Sequence, residues 1–200
     1  MMRTLVSATS LAAVLALTGC SEGESESGSD DAAKSATSVK SEDPAPSVAP
    51  AEGPLIEGTG YTFNAPKGWD TPAQDIPGLD FDSMAADLAD TDGFSDNVNV
   101  IRAGGERLTP DQAEETAKRE LETINATDIA VEDRVIVDGE ESAHLSATMS
   151  MNGASYTVDQ FYLSGEDAAF IATFSFSNSV RAAERDEITG AVLASWTWTS

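Results

Sequence analysis

The chain has 200 residues, with 35 Asp or Glu against 11 Lys or Arg, for a formal net charge of −24. That length allows one ordinary domain plus extensions. The acid excess, with no basic stripe to offset it, excludes nucleic-acid binding by counterion release and docking on an anionic membrane surface; it is read as solubility. A single cysteine excludes an internal disulfide, so the fold must rest on its core.

Residues 1–3 supply one positive charge, and residues 5–17 form a short run rich in Ala and Leu. The run is shorter than the ~20 apolar residues of a membrane span and fits the h-region of a secretory signal. Leu17-Thr18-Gly19-Cys20 then resembles the bacterial lipobox. Small residues let a peptidase reach the backbone, and the thiol carries a diacylglycerol thioether. The expectation is a lipoprotein signal peptide over 1–19, with Cys20 the lipidated, palmitate-bearing first residue of the mature chain. Two or three acyl chains anchor firmly where one does not. Residues 20–53 read as an acidic Ser/Pro-rich tether, with eight acidic residues against two basic ones. Such a segment buries too little apolar surface to offset its ordering entropy, and self-repulsion extends it. The folded domain is expected over 54–200.

Within the domain, residues 61–64 alternate as a strand that Pro66 and Gly68 break ahead of Trp69. "LDFDSMAADLAD" reads as a short helix with Phe81, Met84 and Leu88 on one side. Asn97-Val98-Asn99-Val100 has the period of a strand, ended by Gly104-Gly105. The best helix follows: Thr109 to cap, Pro110 at the first position, Gln112 to complete a capping box, and Ala113, Ala117, Leu121 and Ile124 as an apolar stripe. A strand then ends at Asp138-Gly139, and "SAHLSATMSM", Asn152-Gly153 and "ASYTVDQFYL" form a hairpin with a type I′ turn. Phe170, Phe174 and Phe176 share one face of a further strand. "SVRAAERDEITGAVLASW" closes with a helix, and "WTWTS" is a last strand or a tail. This order predicts an α+β fold, an antiparallel β-sheet flanked by helices.

The residues give little catalytic chemistry. His144 falls with Ser142, Ser146 and Thr148 on the polar side of its strand and reads as a surface histidine; no Gly-x-Ser-x-Gly elbow accompanies it. A thiol nucleophile is excluded if Cys20 is acylated. Asp80, Asp82, Asp87, Asp90, Asp92 and Asp96 crowd one stretch but miss the spacing of an EF-hand loop, so a solvated acidic face is preferred over a calcium site. No metal ligand set and no cofactor motif is identified. Asn125-Ala126-Thr127 matches a glycosylation sequon, a triplet common by chance. Trp69, Phe94, Tyr156, Tyr162, Trp196 and Trp198 are candidates either for a ligand groove or for the core, with Asn97 and Asn99 as polar partners. Aromatic faces beside amides suit sugars and glycolipids.

The lipobox, the tether, "YTFNAPKGW", "FSDNVNVIRAGG" and "LTPDQAEETAKREL" together resemble the LpqN/LpqT family of actinobacterial lipoproteins. The resemblance runs from about residue 61 to 198. It implies a Mog1/PsbP-like fold, an α/β/α sandwich, and an envelope lipoprotein with no assigned reaction, some members being associated with envelope glycolipids. The expected function is therefore a non-enzymatic binding or accessory module. It would sit lipid-anchored on the extracytoplasmic face of the cell membrane. Its expected partner is a glycolipid or an envelope protein, and no nucleic acid. Trp69, Phe94, Asn97, Asn99, Tyr156 and Tyr162 are the candidate binding residues. The alternatives are a carboxylate-dependent envelope hydrolase and a purely structural surface lipoprotein.

Overall fold

The computed structural model describes residues 48–73, 80–104, 107–151, 153–165 and 168–199. Cys20, the lipobox and most of the tether lie outside the described residues. No helix among the described residues is long and apolar enough to cross a membrane. The elements in chain order are β1 (Leu55–Gly58), β2 (Tyr61–Asn64), β3 (Ser83–Ala86), β4 (Asn97–Ala103), α1 (Pro110–Thr123), β5 (Thr127–Val131), β6 (Val135–Val137), β7 (Glu140–Met151), β8 (Ala154–Ser164), β9 (Ala169–Ser177), α2 (Ala182–Ala194) and β10 (Thr197–Trp198).

The architecture is α+β, as the order of elements predicts. A large antiparallel sheet runs β3-β4-β9-β8-β7-β5, with β6 also paired to β7. A small sheet runs β1-β2-β10. On one face of the large sheet, Ala113, Ala117 and Leu121 of α1 pack on Ala143, Leu145 and Ala147 of β7 and on Val158 of β8. The other face carries the main core. There Phe161, Phe170, Phe174 and Phe176 meet Tyr61, Phe63 and Trp196, with Val192 and Leu193 of α2 closing over them. Trp196 stacks on Tyr61 at 4.3 Å and on Phe63 at 5.4 Å between ring centroids.

Local signals account for the surest elements. Thr109 Oγ1 accepts from the Gln112 amide, and Gln112 Oε1 accepts from the Thr109 amide at 3.0 Å, so the capping box forms in full. The β7–β8 hairpin has the expected register, with Met151 opposite Ala154. Asp138 and Gly139 both have positive φ (47° and 85°), the pair of angles that a type I′ turn needs.

Three expectations change. The segment read as a helix around Phe81, Met84 and Leu88 is instead β3, an edge strand paired with β4 from Ser83–Val100 to Ala86–Asn97. Leu88, which a helix would have turned inward, is 57% exposed. Ile124 does not continue the α1 stripe: it is the C-cap and 55% exposed. Residues 48–53, tether by composition, make specific contacts. The Ala51 amide donates to the Ala191 carbonyl at 2.8 Å, and the Gly53 amide to the Ala65 carbonyl at 3.0 Å. Gly53 lies so close to the end of β2 that a Cβ there would clash with the Ala65 carbonyl oxygen.

Candidate functional site on the open sheet face

Because β-strand side chains alternate, each strand of the large sheet serves both layers. α1 packs on β7 and β5, and among the described residues no helix covers the same face of β4, β9 and part of β8. Register fixes what this open face displays. One rung brings together Ala86, Asn97, Ser175 and Val158; the next Met84, Asn99, Thr173 and Gln160; the next Ile101, Ile171 and Tyr162; and the last Ala103, Ala169 and Ser164. None of these side chains carries a charge, in a chain of net charge −24. Asn97, Asn99, Gln160, Tyr162, Ile171 and Thr173 are half-buried, and Ile101 is 37% exposed.

The middle rungs form a polar strip. Gln160 Nε2 donates to Thr173 Oγ1 at 3.2 Å, Asn99 Nδ2 to Asn97 Oδ1 at 3.4 Å, and Asn97 Nδ2 to the Ser95 carbonyl at 3.0 Å. At one end of the strip Phe94 stacks on Tyr156, 4.9 Å between centroids and 22° between planes. At the other end lies a cavity of about 270 Å³ between the strands and the first turns of α1. Ile101, Ile171, Leu108, Ala113 and Tyr162 give it apolar walls, and Thr116, Ser164, Glu120 and Glu141 add polar groups. Burial holds the Tyr156 and Tyr162 hydroxyls above the ordinary phenol range, with the charge of Glu120 adding to the effect at Tyr162. Both hydroxyls are therefore neutral hydrogen-bonding groups.

Five of the six candidate binding residues share this face: Phe94, Asn97 and Asn99 on and before β4, Tyr156 and Tyr162 on β8. Trp69 does not join them. It is 6% exposed in the main core, on the other side of the sheet, as is Trp196 at 3%. The face also includes Gln160, Thr173, Ile101 and Ile171, which the sequence reading missed. Each alternates correctly within its own strand, but only the pairing of β9 between β4 and β8 puts them beside Asn99 and Tyr162.

His144 is not a surface histidine. It stacks on Phe161 at 4.2 Å and lies 3.3 Å from Asp159 Oδ1, while Asp159 Oδ2 accepts from Arg185 Nε of α2 at 3.0 Å. The polar side of β7 faces the α2 layer, and the chain closes a polar network there. In the Asp-rich stretch, Asp87, Asp90 and Asp92 accept backbone amides two residues on, those of Ala89, Asp92 and Phe94, and Asp96 accepts the Ser177 amide. These are turn and loop bonds. Among the described residues no group of three or more His, Cys, Asp or Glu is placed to hold a metal ion.

Several solved structures are similar to the chain at low identity. One is a protein of Bacteroides thetaiotaomicron, 14% identical with a TM-score of 0.49 over 74% of this chain; the chain spans 50% of that protein's length. Another is LpqN, involved in cell envelope biogenesis of Mycobacterium tuberculosis, at 14% identity and a TM-score of 0.49, covering 72% of this chain and 92% of that one. A third is the cyanobacterial PsbP of Synechocystis, at 16% identity and a TM-score of 0.47, with the same two coverages. No family model matches the sequence, and no curated protein matches it.

Proposed function

We propose that this chain is an envelope lipoprotein of the LpqN/LpqT kind with a Mog1/PsbP-like domain. Cys20 and the tether hold it on the extracytoplasmic face of the membrane, and its domain binds a ligand rather than transforming one. The observation that carries the binding reading is the uncharged open face. Amides and hydroxyls at Asn97, Asn99, Gln160 and Thr173 lie between an aromatic pair at one end and an apolar cavity at the other. Such a surface hydrogen-bonds a neutral polyhydroxylated head without having to desolvate a charge, and the cavity receives an apolar part. A glycolipid of the envelope has both parts. For hydrolysis, Glu120 and Glu141 are the two acids at the cavity, and both are exposed, unlike the buried carboxyl from which a general acid is made.

The test has two arms. The full-length chain purified from its envelope is examined by native mass spectrometry for retained lipid, beside variants Asn99→Asp and Thr173→Asp. Each variant puts a negative charge on the strip and should lose the lipid without a lower melting temperature. Equal retention by both variants removes the strip from the site. For the anchor, Cys20→Ala should abolish labelling by a clickable palmitate analogue; equal labelling of both chains refutes lipidation at Cys20.

A further inference from the structure

The cavity at the α1 end of the open face has a charge preference that the strip lacks. Arg102 borders it, but strand alternation turns the Arg102 side chain to the other face of β4 with Val98 and Val100, where its charge acts on Asp82. The charges left around the opening are mostly acidic. Glu120 lies one helical turn beyond Thr116 on α1, and Glu141 falls beyond Ala143 on the same face of β7. Arg134 is the one cation joined to this rim among the described residues, and Glu141, Glu114 and Asp111 share it. Its Nη1 meets Glu141 at 3.1 Å, its Nε meets Glu114 at 2.6 Å, and its Nη2 meets Asp111. With Glu120, one guanidinium answers four carboxylates. The neighbouring Arg107–Glu140 and Arg119–Glu115 pairs are neutral by themselves. Lys118 lies about 200° round the helix from Thr116.

We propose that this cavity selects the protonated amine of an amphiphile. The apolar body lies against Ile101, Leu108 and Ile171, and the ammonium sits at the rim between Glu120 and the ring of Tyr162. The inference rests on reading this face as the binding site and adds the charge class of the group bound at its α1 end. A carboxylate or phosphate head in the same place meets Glu120 and Glu141, whereas an ammonium is attracted by them and by the negative face of an aromatic ring. The net charge of the whole chain acts in the same direction by raising the local concentration of cations.

Three probes with one chain and three heads test this: heptylamine, heptanol and heptanoate, titrated into the full-length chain near pH 7 and followed by calorimetry. The amine is protonated there, since alkylamines lose their proton only near pH ~10.4. Heptylamine should bind about tenfold more tightly than heptanoate, with heptanol between, and added salt should narrow the gap. Glu120→Gln, at an exposed position, should weaken heptylamine about threefold to tenfold and leave heptanol unchanged. Ile171→Trp, which fills the cavity, should weaken all three. Heptanoate binding as tightly as heptylamine, or no binding of any probe, overturns the proposal. Equal affinity for all three refutes the charge selection alone. Lipid retention by the strip variants reports on the binding face separately, so the two readings can fail independently.

Discussion

The two faces of the large sheet come from the same strands and differ almost completely in residue type. Along β9, Phe170, Ala172, Phe174 and Phe176 point into the α2 layer and are at most 3% exposed. The residues between them, Ile171, Thr173 and Ser175, point the other way into the uncharged open face. β8 repeats the division with Phe161 and Leu163 against Gln160 and Tyr162. The aromatic side is a packed core; the other side has a small-residue patch under α1 and, among the described residues, no helix over its remaining half. Stability is therefore concentrated on one face, and the second face is free to carry hydroxyls and amides.

The sharpest way to break this comparison is to truncate neighbours on one strand. Phe174→Ala should cost about 3–5 kcal/mol, from lost burial plus the cavity left behind. Thr173→Ala, the preceding residue on the opposite face, should stay within about 0.5 kcal/mol. Urea denaturation measures both, and comparable losses would show that the open face also bears on stability. Trp69→Ala belongs with Phe174→Ala. Buried in the core, it should lower stability by about 3 kcal/mol, and a variant with unchanged melting would return Trp69 to the list of surface anchors.

The closed face includes a buried charged network. Asp159 is 4% exposed and bonded both to His144 and to Arg185 of α2. Arg185→Met leaves that carboxylate without its cation and should cost about 3 kcal/mol. Adding Asp159→Leu should restore much of the loss, because removing both partners also removes their desolvation penalty. A double-mutant cycle measures the difference; additive losses would mean that Arg185 acts only by packing.

What was legible in the sequence follows the range of the signal. The α1 capping box and the Asp138-Gly139 turn are read from adjacent residues, and local chemistry decides them. β3 was misread because an edge strand with Ser83, Ala85 and Ala86 all buried shows no alternation, while Met84 and Leu88 happen to fall at helical spacing. His144 was misread for a related reason. The side with Ser142, His144, Ser146 and Thr148 reads as solvent-facing only if β7 is covered on one face, and Ser142 is 1% exposed under the second layer. The open face was legible residue by residue in Phe94, Asn97, Asn99, Tyr156 and Tyr162. It was not legible as a surface, because its continuity depends on β9 lying between β4 and β8.

The smallest predicted effect concerns the second of the two buried carboxylates among the described residues, Asp96 at 8% exposure. Asp159 has a guanidinium; Asp96 has only the Ser177 amide, which donates to Oδ1 at 2.7 Å. Burial raises its pKa above the ordinary carboxylate range. The Ser177 amide offsets this in part, and the charges of Asp90, Asp92 and Asp87 add to the rise. The native state therefore takes up the Asp96 proton at a higher pH than the unfolded chain does. As pH falls through that raised value toward the unfolded value of 3.8, the folded state gains protons first and Asp96 contributes less of a penalty. Above the window its charge is a constant cost. Asp96→Asn keeps an oxygen for the Ser177 amide and removes that cost, so it should raise the melting temperature near pH 7 by about 2 °C. The gain should shrink as pH falls and vanish once the wild-type carboxyl is protonated in both states. Asp159→Asn should do the opposite near pH 7, since it strips Arg185 of its counter-charge. Melting curves of the two variants across this pH range compare a buried charge with a cation against one without. If Asp96→Asn also melts lower near pH 7, the Ser177 bond needs the charged carboxylate, and the cost assigned to its burial is wrong.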